Sequence, residues 1–374
     1  MSTLKVNAIR ATAASSDAIT LASDGTCTAK VTNNLSNRRL NINGDFRVMQ
    51  RGTQTSVTAG KYGIDRWKFE VGNCGTWTLS QDTDVPAGKG FAKSYKIQCT
   101  TADASPAAAD FVDTRYQFEG QDLQMLQWGN SAAKSITVTF WIKCKKTGTF
   151  NLNLLANGAA NKSLGKVITI SVADTWEQKS VTFAGDTAQA ITSDNANRLS
   201  LVFWLDAGSD YKGGTSPTSA WETLTSANRA ASTTIALADN TANYVNLCGV
   251  QLEVGETATE FEHRSYAEEL AGCQRYCVVT TRLPVMFQNA AGYVSCCSRP
   301  NPVPMRAAPS IALGGTLTAN PFFGSTSHTT TTTPTLQSAI ADNFIINFTG
   351  WSGTTPTNTF GDVYNTTITL DAEL

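Results

Sequence analysis

Through much of residues 135–254, hydrophobic side chains recur at every second position, a period that fits β-strands and not an amphipathic helix. In SITVTFWIKC, Ile136, Val138, Phe140, Ile142 and Cys144 share one face, and Thr137, Thr139, Trp141 and Lys143 share the other. In TFNLNLLAN, Phe150, Leu152 and Leu154 oppose Asn151 and Asn153; in RLSLVFWLDAG, Leu199, Leu201, Phe203 and Leu205 oppose Trp204 and Asp206. The runs 166–172 and 176–183 are joined by an Ala-Asp-Thr turn, and the closing run alternates Val250, Leu252 and Val254 with Gln251 and Glu253. Successive short strands with one apolar face and no helical period between them predict a mainly β chain, an antiparallel jelly-roll β-sandwich. Composition agrees, with Thr, Ser, Asn, Gly and Ala throughout and charged residues at only 16%.

At 374 residues the chain is long enough for more than one core. Its 29 Lys and Arg balance 30 Asp and Glu, which leaves no broad field to hold nucleic acid or an acidic membrane face. The opening MSTLKVNAIR has no apolar stretch of the signal-peptide kind, and no run suits a membrane span, so a soluble, cytoplasmically made protein is expected. Nine scattered cysteines lack the spacing of a disulfide framework and are expected to be mostly reduced thiols in strands.

Two stretches carry a more specific signal. NINGDFRVMQRGT…YGIDRW (41–67) and GVQLEVGETATEFEHRSYAEELAGCQRYC (249–277) resemble segments of bacteriophage tail-fibre and related virion structural proteins. The opening MSTLKVNAIR…SDAITLASDGT likewise resembles the attachment end of phage fibres, and ITVTFWIKCKKTGTFNLNL with DTWEQKSVTF and CGVQLEVG resembles the jelly rolls of carbohydrate-binding modules. The resemblance implies an N-terminal virion-attachment and trimerisation segment (1–36), a carbohydrate-binding-like jelly roll (37–262), a helical connector (263–278) and a C-terminal β domain (279–374). It places the protein in the virion after synthesis in the host cytoplasm, as a homotrimer bound to other virion proteins and to host-surface glycan.

Within FEHRSYAEELAGCQRYC, Ser265 and Glu268 form a Ser-x-x-Glu capping box, which predicts a helix from Tyr266 that Glu269, Leu270 and Tyr276 continue. Cys273 and Cys277 then fall on one helical face as small apolar residues. Zinc would need two further ligands, and the adjacent Cys296 and Cys297 are poorly disposed to share one tetrahedral ion, so no metal is expected. Jelly rolls of the carbohydrate-binding kind often hold a structural calcium between first and last strands. Here Asp45 is present, but the acidic position of the final strand falls near Cys248 and Gly249, which speaks against the ion.

No Gly-x-Ser-x-Gly, His-Glu-x-x-His, P-loop or Gly-x-Gly-x-x-Gly occurs, and His263 and His328 are the only histidines, so neither catalysis nor a cofactor is expected. Asp82-Thr-Asp84, before Pro86 and Gly88, reads as a turn rather than an acid pair. Ligand-binding candidates are Trp141, Asn151, Asn153, Trp204 and Asp206, since sugars stack on aromatic faces while amides and carboxylates hold their hydroxyls. Outward tryptophans in a fibre also fit packing, against a second chain or beneath the long 207–243 loop. Trp67 is expected in the core, and Trp77 is left open. Beyond the connector, prolines at 300, 302, 304 and 309 exclude helix and central strands. STSHTTTTTPT reads as a solvated loop, and loops 324–335 and 350–361 suit receptor contact. The functional expectation is a receptor-binding tail fibre, with a virion decoration or connector subunit as the alternative.

Overall fold

The computed structural model describes residues 6–23, 26–29, 37–287, 294–296, 299–321, 328–330, 335–340, 343–348, 359–364 and 367–374. Near the N-terminus, β1 (Ala8–Ile9), β2 (Ile19–Leu21) and β3 (Cys27–Ala29) form a three-stranded antiparallel sheet. A two-sheet sandwich follows. Its first half comprises β4 (Gln54–Val57), β5 (Lys61–Ile64), β6 (Trp67–Gly72), β7 (Thr76–Asp82), β8 (Ser94–Thr101) and β9 (Phe111–Glu119). Its second half comprises β10 (Ile136–Cys144), β11 (Gly148–Ala156), β12 (Lys162–Ile170), β13 (Glu177–Phe183), β14 (Asn197–Ala207), β15 (Glu222–Thr223) and β16 (Tyr244–Val254). The six-stranded sheet runs β13-β10-β16-β8-β7-β4 and the seven-stranded sheet β15-β12-β11-β14-β9-β6-β5. All strand pairs of both sheets are antiparallel, so the expected jelly-roll sandwich is what the chain builds.

The inward faces are those that the alternation predicted. Ile136, Val138, Phe140, Ile142, Phe150, Leu152, Leu154, Leu199, Leu201, Phe203 and Leu205 are all buried in one cluster. Phe140 meets Phe203 edge-on at 5.2 Å, and Trp67 packs on Phe46 at 5.1 Å, geometries that aromatic quadrupoles favour. Trp67 and Trp77 are both core residues.

The stretches 41–67 and 249–277 interlock. Leu40 donates to the Leu252 carbonyl and Val250 to that of Gly44, each at 2.8 Å, so 40–44 runs beside the closing strand. A side chain at Gly44 would lie 2.0 Å from the Val250 carbonyl oxygen, which restricts this position to glycine. Asn43, in the left-handed region at φ 54°, closes the turn with its own amide: Nδ2 donates to the Val48 and Asp65 carbonyls and Oδ1 accepts from the Val48 N–H.

The helix spans Tyr266–Gln274, and its predicted capping box is formed in both directions by Ser265 and Glu268. It ends sooner than the sequence suggested: Tyr276 lies beyond it, and Cys277 opens the strand Cys277–Thr280 rather than sharing a helical face with Cys273. The connector is also docked. Buried Glu269 pairs with Arg39 and accepts from the Asn43 N–H at 2.6 Å, while Glu119 accepts from Arg275 at 2.8 Å and from the Tyr276 hydroxyl at 2.5 Å.

Beyond it, Cys277–Thr280, Ile368–Asp371 and Ser310–Leu313 make a three-stranded sheet. Val278, Leu283, Met305, Ile346, Phe348, Val363, Ile368 and Leu370 form a separate small core. Pro300 lies in an edge strand, where a missing N–H is tolerated. Part of the threonine tract, expected as loop, is a strand: His328–Thr330 pairs with Leu317–Ala319. Of the proposed receptor loops, residues 324–327, 331–334 and 350–358 lie outside the described residues.

Candidate functional site

Four of the five predicted binding residues stand on the outer face of the seven-stranded sheet, as alternation required, yet they do not face solvent. The excursion 208–243 between β14 and β16 folds back over them. Asn151 Oδ1 accepts from the Ser232 N–H at 2.8 Å, and its Nδ2 donates to Ser216 Oγ. Asn153 Nδ2 donates to the Arg229 carbonyl at 2.9 Å, and Asp206 Oδ2 accepts from the Ala238 N–H at 3.0 Å. Trp204 is fully buried in a second cluster with Leu155, Val202, Ala207 and Ala230, flanked by Tyr211 at 5.3 Å and Phe111 at 6.0 Å, with the Arg229 guanidinium over its ring. The exposed sugar-binding face expected from Asn151, Asn153, Trp204 and Asp206 is therefore corrected: all four are buried beneath the covering segment.

Trp141 alone of the five remains half-exposed, on the outer face of the six-stranded sheet. Register puts Gln178 of β13 and Cys248 of β16 on either side of it. One step along β10, Lys143 donates to Asp84 at 2.6 Å, and Asp84 also accepts from the half-exposed Trp176 Nε1 at 2.9 Å. Asp84 thus ties the 83–93 loop to this face, and the expected turn exists: the Asp84 N–H bonds the Asp82 carboxylate at 3.1 Å. Further across, Lys96 lies over the Tyr244 ring at 5.1 Å and pairs with Asp82. The Tyr244 hydroxyl donates to Asp174 at 2.6 Å. Burial and this bond push the Tyr244 phenol up, while hydrogen bonds from Lys145 and Tyr244 hold Asp174 below the usual carboxylate range.

On the other side of Trp141 a shallow groove is lined by Thr139, Gln178, Lys179, Ser180, Thr259 and Glu260, with Lys179 paired to Glu177. Its far wall is rigid. Glu253 accepts from the Thr259 N–H at 2.8 Å and from its hydroxyl at 2.6 Å, and Gln251 donates to the Glu260 carbonyl at 3.2 Å. The alternation placed Gln251 and Glu253 on the wet face; both are buried because the 255–260 loop packs on them. An aromatic ring beside amide, hydroxyl and carboxylate groups is chemistry that holds a sugar ring and its hydroxyls. The sequence reading did not select Trp176, Tyr244, Gln178 or Thr259. Their association depends on cross-strand register and on loops folding back, neither of which a periodic pattern encodes.

Asp45 does not fit a hard cation. Its carboxylate pairs with Arg47, and the neighbouring position on the final strand is the Cys248 thiol, whose proton is held by burial and by Asp45 itself. Among the described residues there is no group of three or more His, Cys, Asp or Glu side chains placed to hold a metal.

No protein-family model matches the chain, and no curated protein matches it in sequence. Among solved structures the chain is similar to the enzymatically active domain of tailspike protein 4 of bacteriophage CBA120, at 14% identity and TM-score 0.29, covering 54% of this chain and 21% of that one. It is similar to a family 11 carbohydrate-binding module from Clostridium thermocellum solved with a mixed-linked tetrasaccharide (11% identity, TM-score 0.28, 54% and 99% covered). It is also similar to the CBM22-1–GH10 modules of xylanase 10B from the same organism, complexed with xylohexaose (12% identity, TM-score 0.31, 59% and 29% covered). The jelly-roll assignment itself rests on the strand order described above.

Proposed function

We propose that this chain is a non-catalytic, receptor-binding tail-fibre protein of a bacteriophage, which adsorbs to host-surface glycan through the outer face of its six-stranded sheet. The observation that carries the reading is half-exposed Trp141 beside its register partner Gln178, which lines the adjoining groove with Ser180, Thr259 and Glu260. On this reading the N-terminal segment joins other virion proteins and assembles the chain as a homotrimer. Its short strands leave Val6, Ile9 and Leu21 at 37%, 52% and 39% exposure, and β1 and β3 leave sheet edges that association would cover.

Glycan-array and host-cell binding by the intact chain and by Trp141→Ala tests the glycan role: binding that weakens in the variant while oligomer mass is unchanged supports it. Equal binding by both proteins removes the groove as the site. The same exposed N-terminal apolar residues favour a second reading, a virion decoration or connector subunit that binds only other virion proteins. Antibody labelling of virions separates the two, because a fibre protein labels distal appendages and a decoration protein labels the capsid or tail body.

A further inference from the structure

Several lysines on the candidate face are matched by carboxylates. Lys143 pairs with Asp84, Lys145 with Asp174 and Lys96 with Asp82. Lys89 is exposed, and among the described residues it makes no ion pair; its ammonium stands 5.6 Å from the centre of the Trp141 ring. It is held there by the 83–93 loop, where Gly88 and Gly90 on either side of it adopt φ of +71° and +78°. A cation over an exposed indole is held only weakly, so a ligand ring can displace it readily. Across the groove from Gln178 and Ser180, Glu260 is exposed, and its carboxylate makes no ion pair among the described residues.

We infer that the groove takes an acidic glycan in one direction, with a carboxylate-bearing sugar on Trp141 paired to Lys89 and uncharged sugars running toward Glu260. This rests on the glycan-binding reading above and specifies its ligand class. When a sugar's C–H face stacks on Trp141, Lys89 swings from the ring to the sugar's edge, where a uronate carboxylate gives it the partner it lacks. A second acidic sugar at the far end would meet Glu260 and be repelled, so acid substitution is favoured at one end only. A fully neutral glycan would stack on Trp141 but leave Lys89 without a partner.

The test uses the full-length chain with oligogalacturonate and with neutral oligosaccharides of equal length, measured by calorimetry at low and high salt. The uronate should bind more tightly, with an advantage that shrinks as salt rises. Lys89→Gln should weaken uronate binding about fivefold and leave neutral binding unchanged, whereas Lys61→Gln, a charge removed from the other sheet, should do neither. Trp141→Ala should weaken both ligands. Equal binding of the two classes, or an unchanged uronate affinity in Lys89→Gln, overturns the acidic assignment while glycan binding stands. Failure of both classes to bind, in a chain that still binds host cells, overturns the glycan reading as well.

Discussion

Replacing Trp204 by alanine should unfold or severely weaken the sandwich, although alternation places the residue on a polar face. The indole is completely buried, and its neighbours Leu155, Val202, Tyr211 and Phe111 are held between a central strand and the covering segment, so little can collapse into the space left behind. Removal of a buried tryptophan side chain costs about 3–5 kcal/mol under such conditions. Trp204 Nε1 has no hydrogen-bond partner, and an orphaned buried donor costs about 1–3 kcal/mol. Trp204→Phe removes that donor while keeping most of the ring, so its net change should lie within about 1 kcal/mol of zero. Urea unfolding followed by far-ultraviolet circular dichroism gives the free energies, and tryptic cleavage at Lys212 and Arg229 reports release of the covering segment. Trp141→Ala provides the contrast, at about 0.5 kcal/mol or less for a half-exposed site. Comparable small losses for Trp204→Ala and Trp141→Ala, with no gain in cleavage, would refute the burial argument.

Glu373→Gln leaves the buried Arg66 guanidinium without its carboxylate and should cost about 3–5 kcal/mol, most of it recovered in Arg66→Met/Glu373→Leu; thermal melts of the three proteins decide. Although burial opposes ionisation, hydrogen bonds from Arg275 and Tyr276 hold Glu119 below its ordinary value. Its stabilising contribution is therefore complete above about 4.5 and is lost as pH falls through the folded value, so Glu119→Gln should flatten the acid limb of a stability–pH curve. Burial pushes the Cys99 and Cys144 thiols up to about 11, and Cys74, Cys248, Cys273 and Cys277 are also buried. Among these cysteines and Cys27, only Cys27, the exposed one, should be alkylated by iodoacetamide under native conditions, as read by peptide mass spectrometry. The intact chain should scatter light as a trimer, and removal of residues 1–36 should reduce the mass; a monomer unaffected by the deletion would contradict the assembly proposed.

Period-two alternation fixes which side of a strand a residue occupies, and every inward residue it selected between 136 and 205 is in the core. What covers the opposite side is a tertiary property. Asn151 and Thr139 have the same local signature, yet one lies under the 208–243 segment and the other lines an open groove. The capping box was legible because it is a bond between residues three apart, whereas the helix end was not. After Gln274 the chain turns into a strand whose partner, Ile368–Asp371, lies almost a hundred residues on, beyond the reach of any local pattern.

The stretches 41–67 and 249–277 have a structural role distinct from that of the groove. Asn43 and Arg66 from the first, with Arg39 just before it, and Glu269, Arg275 and Tyr276 from the second, are occupied by bonds that hold the helix and the chain's last residues against the sandwich. The Arg66 guanidinium lies 3.4 Å from the centre of the Tyr276 ring and donates to Glu373 at 2.6 Å, so one side chain joins the sandwich, the helix end and the C-terminus. A buried ion pair adds little net stability over a hydrophobic equivalent, but removal of either partner is severe, so such a joint tolerates few substitutions and fixes one geometry. The groove at Trp141 has the opposite character: its wall is pinned from beneath by Gln251 and Glu253, while Gln178, Ser180, Glu260 and Lys89 project from it with few obligations to the fold. Residues so placed can change without loosening the joint, so on the proposed glycan-binding reading ligand choice is set on the less patterned surface.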